Sequence, residues 1–95
     1  MPPSNRARGE VVCTLAGEPR RLCLTLGALA ELETAFGLDG WDELAGRLRR
    51  LSARDMAAVL AALLRGGGET AVDIARIDFR EAAEAVAAAF QAAAA

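Results

Sequence analysis

The feature of this sequence that most constrains its fold is a change in apolar spacing at Thr25. Before it, "EVVCTL" (residues 10–15) and "RLCLTL" (residues 21–26) carry apolar side chains at alternate positions, the spacing of a half-buried β-strand. After it, Leu29 and Leu32 begin a run in which apolar residues recur every three to four positions, as on one face of a helix. The sequence therefore predicts an α+β fold, in which a hairpin leads into helices.

The two predicted strands flank "AGEPR" (residues 16–20), where Gly17 and Pro19 favour chain reversal. The apolar faces of both strands reach one core only if odd residues of the first pair with even residues of the second. The expected cross-strand pairs are Leu15 with Leu22 and Val11 with Leu26. Because an isolated hairpin is marginal in water, we expect the helices to cover it. The hairpin side chains expected in that contact are Val11, Cys13, Leu15, Leu22 and Leu24.

The same alternation separates the two cysteines. Cys13 is expected to face the core and Cys23 the opposite side of the sheet. A disulfide needs Cβ atoms about 3.5–4.5 Å apart, which opposite faces do not provide. We therefore expect two reduced cysteines that act as small apolar side chains.

Capping residues divide the rest of the chain into a small bundle of four or five α-helices. Thr25 can cap a helix that runs to about Phe36, and Gly37 suits its C-terminal end. A second helix is predicted over about residues 41–50. The apolar stripe expected on that second helix is Trp41, Leu44, Ala45, Leu48 and Leu51.

A third helix is predicted to begin after Ser52, because Ser52 and Asp55 resemble a capping box. It reaches about Leu64 or Arg65, where "GGG" (residues 66–68) is expected to act as a terminator and hinge. The helix has no charge between Met56 and Leu64, so we expect it at the centre of the fold.

Two further cap patterns follow the glycines. Thr70 with Asp73 predicts a short helical turn over about residues 71–76, and Asp78 with Glu81 predicts a last helix. The apolar stripe expected on the last helix is Phe79, Ala82, Ala83, Val86 and Phe90.

The length of 95 residues predicts one domain. We expect a flexible lead-in over residues 1–9, a single α+β domain over residues 10–91 and a frayed tail over residues 92–95. No apolar run is long enough for a membrane span, and the expected compartment is the bacterial cytoplasm.

The composition argues against catalysis. The chain has no histidine, which removes the commonest general base and metal ligand, and two cysteines cannot complete a zinc site. Glu31 and Glu33 are two positions apart and so do not face each other on a helix, and the glycine run lacks the lysine of a phosphate loop. We therefore predict no catalytic residue, no cofactor, no metal and no small-molecule substrate.

The charged residues offer candidate contacts with a macromolecular partner. The arginines of residues 47–54 are either a solvated helix end or a patch that meets an acidic partner. A net charge of −2 and the absence of aromatic residues among these arginines make nucleic acid an unexpected partner. Glu33 borders an apolar stripe, where it can reach solvent, an arginine or a partner. The candidate partner-binding residues are Glu33, Arg47, Arg49, Arg50, Arg54 and Phe90.

Three segments carry a family resemblance. They are "LAGEPRRLCLTLGALAELETAFG" (residues 15–37), "LLRGGG" (residues 63–68) and Ala89-Phe90. Their order and spacing resemble a family of small proteins encoded by alphaproteobacterial gene transfer agents and related siphophages. The resemblance extends over about residues 9–90.

This resemblance implies a non-enzymatic tail assembly protein of a gene transfer agent or prophage. Such proteins are described as tail assembly chaperones that hold the tape-measure protein soluble, and sometimes as tail tube proteins. The implied partners are the tape-measure protein or other tail proteins, and the implied location is transiently on assembling tails. A structural minor tail or tube component, and a small regulatory or nucleic-acid-binding module, are the alternatives. Whether the chain forms a homo-oligomer stays open.

Overall fold

The computed structural model describes residues 9–94, which form a two-stranded hairpin and helices around one core. Two 3₁₀ turns, Leu48–Arg50 and Ile74–Arg76, lie in the connections between the α-helices. The strands and α-helices are β1 (Glu10–Leu15), β2 (Glu18–Cys23), α1 (Leu26–Phe36), α2 (Trp41–Arg47), α3 (Ala53–Gly66) and α4 (Phe79–Ala94). The predicted α+β fold is confirmed. The predicted lead-in lies outside the described residues except for Gly9, and residues 92–94 of the predicted tail belong to α4.

The hairpin register differs from the predicted one. Leu15 lies opposite Glu18 and Val11 opposite Leu22, so the expected Leu15–Leu22 and Val11–Leu26 pairs are wrong, although odd residues do pair with even ones. The reason is a tighter turn: Ala16 and Gly17 alone reverse the chain, with φ of 52° and 84°. Positive φ at both central residues gives a two-residue turn whose twist matches that of the strands.

This register also explains Pro19. A two-residue turn makes Leu15–Glu18 the first hydrogen-bonded pair, so the next pair, Thr14–Pro19, does not exchange ladder hydrogen bonds. A proline there loses no donor that the hairpin needs, and it leaves the outer edge of β2 without an N–H at that position.

The hairpin packs on the helices as expected. Leu15 and Leu22 are fully buried, and Val11, Cys13 and Leu24 pack partly buried against the core. The thiol of Cys13 has its pKa raised by burial. The two cysteines do not form a disulfide with each other, and Cys23, on the opposite face of the sheet from the partly buried Cys13, is buried.

Local capping sets the ends of α1. The Thr25 hydroxyl accepts a hydrogen bond from the Ala28 N–H at 3.0 Å. At the other end, Gly37 has a left-handed φ of 66° and donates its N–H to the Glu33 carbonyl. The predicted bounds of this helix are confirmed.

In the second predicted helix, Leu44 is buried but Ala45 is exposed, so the assignment of Ala45 to the buried stripe is wrong.

Helix α3 lies at the centre of the fold, as predicted. It packs against α1, β2, α4 and the 3₁₀ turn at Ile74–Arg76. The Ser52 hydroxyl accepts the Asp55 N–H at 3.1 Å and caps its start. Six of its residues are buried: Met56, Val59, Leu60, Ala62, Leu63 and Leu64.

The glycines at the end of α3 allow a close approach of two backbones. A Cβ on Gly66 would lie 2.1 Å from the Cys23 carbonyl oxygen, and one on Gly67 would lie 2.2 Å from that of Arg21. Side chains at these positions would therefore push α3 away from β2. The glycine run ends α3, as predicted, and its first two glycines bring this end of the helix close to β2.

Helix α4 buries Ala82, Val86 and Phe90 of its expected stripe. Phe79, the first residue of that stripe, is 56% exposed, so its assignment to the core is wrong. The helical turn predicted over residues 71–76 is shorter, with a 3₁₀ turn at Ile74–Arg76 only.

Candidate partner-binding groove

The structure divides the predicted partner-binding residues into held and exposed groups. Arg47 is held: its guanidinium lies 2.9 Å from the Asp55 carboxylate and 5.0 Å from the centroid of the Phe36 ring. The hydrogen bond from Arg47 lowers the pKa of the Asp55 carboxyl, and burial opposes it in part. Arg47 thus ties α2 to α3.

Phe90 and Glu33 are also part of the folded body. Phe90 is only 9% exposed and belongs to the core cluster. Glu33 is half-buried, and its backbone carbonyl accepts hydrogen bonds from the N–H groups of Gly37 and Leu38 at the end of α1. These residues contribute to the fold, and the structure does not bring them together with the exposed arginines.

The exposed group consists of Arg49, Arg50 and Arg54. Arg49 and Arg50 lie in the 3₁₀ turn that follows α2, and Arg54 lies in the first turn of α3. In the part of the chain that the structure describes, none of the three makes an ion pair. Their charge is therefore available to a partner.

Arg54 directly follows Ala53, which lines an apolar groove of about 500 Å³ that we call the α3–α4 groove. One wall is an α3 face, made of Ala53, Met56, Ala57 and Leu60. The other side is made of Ile74, Ala75, Ile77, Phe79 and Ala82, from the 3₁₀ turn to the start of α4. All the lining residues are apolar, which is typical of a surface that binds other apolar groups.

The sequence of α3 explains why the groove stays open. Residues 53, 56, 57 and 60 follow the i, i+3, i+4, i+7 spacing and so share one face of the helix over two turns. Two of the four are alanines, which are too short to fill the space to the segment opposite. The chain between α3 and α4 makes only a short 3₁₀ turn there, so no helix covers this face.

Phe79 is the residue that sequence reasoning missed. It is the first residue of α4, lines the groove and is 56% exposed as a residue. The helical spacing alone assigned it to the core. The one sequence signal was its place between Asp78 and Arg80, since flanking charges are typical of an exposed helix start.

A second depression, of about 470 Å³, lies between the hairpin tip and residues 71–76. It is polar: Glu18, Arg20, Asp73 and Arg76 line it. Arg20 is already engaged, at 2.7 Å from Glu18 and 3.2 Å from Glu69. This polar depression is therefore a less suitable binding site for a partner than the α3–α4 groove.

Within residues 9–94, no cluster of three or more potential metal ligands occurs. None of the described helices is both long and apolar enough to cross a membrane. The surface features that the structure does offer are the apolar groove and the exposed arginines.

Comparison with known proteins adds one finding. The family model described as "Phage tail tube protein, GTA-gp10" matches residues 8–95. Searches of curated proteins and of solved structures found no significant match.

Proposed function

The chain belongs to the phage tail tube protein GTA-gp10 family, and we propose that it is a non-enzymatic tail assembly chaperone that binds the tape-measure protein. In this proposal it acts in the cytoplasm and holds the tape measure soluble until tail subunits assemble around it. Other tail proteins are the class of partner that membership of this family indicates.

The observation that carries the proposal is the α3–α4 groove. It is open and apolar and has a volume of about 500 Å³, on a chain of 95 residues. A holding factor needs a stable body and an apolar surface that accepts an amphipathic segment. The core provides the first and the groove provides the second.

The architecture also favours a chaperone over a ring-forming tube subunit. A tube subunit needs extended sheet for its ring, whereas the sheet of residues 9–94 has two strands. In addition, Pro19 and the Arg21 N–H, which donates to Glu69 at 3.1 Å, leave the outer edge of β2 unsuited to strand addition.

The second candidate is a structural minor tail or tube component, which the description of the family favours. The two candidates differ in where the protein is at the end of assembly. A chaperone leaves before the tail is complete, whereas a component stays in the particle.

The test is co-expression of this chain with the tape-measure protein of the same gene cluster. We expect the soluble fraction of the tape measure to rise and the two chains to co-purify. If the tape measure is soluble alone and never binds this chain, the chaperone proposal fails. Mass spectrometry of purified particles distinguishes the alternative, because a structural component would be found there in fixed stoichiometry.

A further inference from the structure

We propose that residues 70–77, which we call the strap, lift off α3 as one unit while the rest of the protein stays folded. The strap connects the end of α3 to the start of α4 and contains the 3₁₀ turn Ile74–Arg76. The inference concerns the conformations of this chain alone, so it does not depend on the proposed function. It follows from the weak attachment of the strap, from its fixed ends and from the helix face that lies beneath it.

Hydrogen bonds do not attach the strap to the rest of the described chain. The Arg76 N–H donates to the Asp73 carbonyl at 3.2 Å. The Ile77 N–H donates to the Ile74 carbonyl at 3.1 Å, so both bonds lie within the strap. Among the described residues, no other hydrogen bond or ion pair involves residues 70–77. Lifting the strap therefore breaks no polar interaction with another segment.

Packing attaches the strap through three side chains. Val72, Ile74 and Ile77 contact the core, but each is only partly buried, and none of residues 68–81 is buried. The strap borders the α3–α4 groove, the polar depression and a third depression of about 190 Å³. Every residue of the strap lines at least one of the three. A segment that borders open space along its whole length gains less dispersion attraction than a packed one.

Both ends of the strap are fixed. Just before it, Glu69 accepts the Arg21 N–H at 3.1 Å and the Arg20 guanidinium at 3.2 Å. Just after it, the Asp78 carbonyl accepts the Ala82 N–H at 3.0 Å, which begins the hydrogen bonding of α4. Local unfolding occurs in weakly held segments between stable elements, so the strap is the expected unit of opening.

The connection between α2 and α3 shows the contrast. It also contains a 3₁₀ turn, Leu48–Arg50, but the Arg47 guanidinium and the Asp55 carboxylate meet at 2.9 Å and bridge its two ends. Residues 48–52 line none of the three depressions. This second connection therefore supplies matched controls for the strap.

Beneath the strap lies one face of α3. Leu60 lines the α3–α4 groove, Leu64 lines the third depression, and Ile74 of the strap lines both. With the strap lifted, the two depressions join into an apolar face from Ala53 to Leu64, about 17 Å of helix. The α3–α4 groove is then the part of a longer face that is accessible with the strap closed. The apolar residues of that face follow helical spacing and are Ala53, Met56, Ala57, Leu60, Ala61 and Leu64.

The first experiment is limited proteolysis of the full chain with trypsin in increasing urea. Trypsin cleaves after arginine, and the strap contains Arg76. We expect cleavage after Arg76 at least about tenfold faster than after the exposed Arg49 or Arg50 of the other 3₁₀ turn. Its rate should change little at low urea, because lifting the strap exposes little surface. If Arg76 is cleaved no faster than Arg65 in α3, with the same urea dependence, the strap opens only by global unfolding and the proposal is overturned.

A substitution in the strap tests its attachment. Ile74→Ala removes the side chain between the two joined depressions, and we expect cleavage after Arg76 at low urea to become at least about tenfold faster. Leu51→Ala is the control, because Leu51 is also partly buried against the core but lies in the other connection. It is expected to leave that rate unchanged, and circular dichroism establishes that both variants are folded. Equal acceleration by both would show that cleavage follows global stability, and would overturn the proposal.

The second experiment observes the strap of the wild-type chain by NMR relaxation dispersion of ¹³C-labelled methyl groups. Ile74 and Ile77 are the isoleucines of this chain, so isoleucine labelling reports on the strap alone, and Met56 reports on the face beneath it. We expect all three methyl groups to share one exchange rate on the μs–ms timescale of lid motions. The methyl groups of Val59, which is buried and lines none of the depressions, should show no exchange. Different rates at the two isoleucines, or no exchange at Met56, would show that the strap does not lift as a unit.

Discussion

The two ends of α3 meet the rest of the molecule in opposite ways. At its C-terminal end, Gly66 and Gly67 let the helix backbone lie directly against β2, and Glu69 binds the same strand. At its N-terminal end, Ala53 and Ala57 face an open apolar groove. Small residues occur at both ends, but at one end they allow contact within the chain and at the other they leave a space.

This difference shows that residue size alone does not determine what a small residue does. The glycines lie opposite strand carbonyls, so any side chain would displace them. The alanines line an open apolar groove of about 500 Å³. We call the C-terminal end of α3 the closed end and its N-terminal end the open end. Substitutions at the closed end should therefore lower the stability of the fold, and substitutions at the open end should change it little.

Among substitutions at the two ends of α3, the largest effect is expected from Gly67→Ala or Gly66→Ala. Each new Cβ would come within 2.1–2.2 Å of a backbone oxygen of β2, so one backbone must move. We expect a loss of about 3 kcal/mol in the free energy of unfolding, measured by urea denaturation. Gly46→Ala is the matched control: its Cβ meets nothing within 4 Å, and we expect unchanged or slightly higher stability. Equal stability of all three variants would mean that the ends of α3 do not differ.

The next effect concerns the carboxylate that completes the closed end. Glu69 accepts the Arg21 N–H at 3.1 Å and the Arg20 guanidinium at 3.2 Å. Glu69→Gln keeps the shape but removes the charge, and we expect a loss of about 1 kcal/mol at pH 7. Glu84→Gln, an exposed carboxylate on α4, is expected to cost nothing measurable.

The same residue gives a pH dependence with a definite sign. The Arg21 N–H, followed by the Arg20 guanidinium, lowers the pKa of Glu69 in the folded protein. The stabilisation is therefore present above the unfolded pKa, about 4.3, and is lost as pH falls through the lower folded value. Urea titrations between pH 3 and 7 should show a shallower loss of stability in acid for Glu69→Gln than for the wild type. Parallel curves would show that this carboxyl does not titrate differently on folding.

The features that could be predicted from the sequence are those that neighbouring residues determine. Thr25, Gly37 and Ser52 cap their helices through residues three or four positions away, so the bounds of α1 and the start of α3 follow from local spacing. The central position of α3 follows from its uncharged surface.

The features that were missed depend on how elements meet. The hairpin register changes with the turn, and no apolar pattern indicates that Ala16 adopts a positive φ. The groove and the exposure of Phe79 depend on where the chain between α3 and α4 runs, whereas helical spacing shows only which residues share a face. The exposed Arg49, Arg50 and Arg54 were found because charge is visible in the sequence.

A smaller effect, in this case stabilising, is expected at the hairpin turn. Ala16 has a φ of 52°, which costs an alanine more than it costs an asparagine. Ala16→Asn creates the Asn-Gly pair that two-residue turns favour, and we expect about 0.5–1 kcal/mol more stability in thermal or urea unfolding. Ala16→Val is the opposing control and should destabilise, because a branched side chain tolerates this conformation poorly. If Asn and Val behave alike, the turn does not have this conformation in solution.

The smallest effect on stability is expected at the open end, from Phe79→Ala. Phe79 is 56% exposed, so its removal exposes little new apolar surface, and we expect a change within about 0.5 kcal/mol. Phe90→Ala on the same helix is the comparison, because Phe90 is only 9% exposed and the loss of its ring should cost about 3–4 kcal/mol. Urea unfolding of both variants measures the difference. Similar large losses would mean that the groove closes over Phe79 in solution, and that α3 is then closed at both ends.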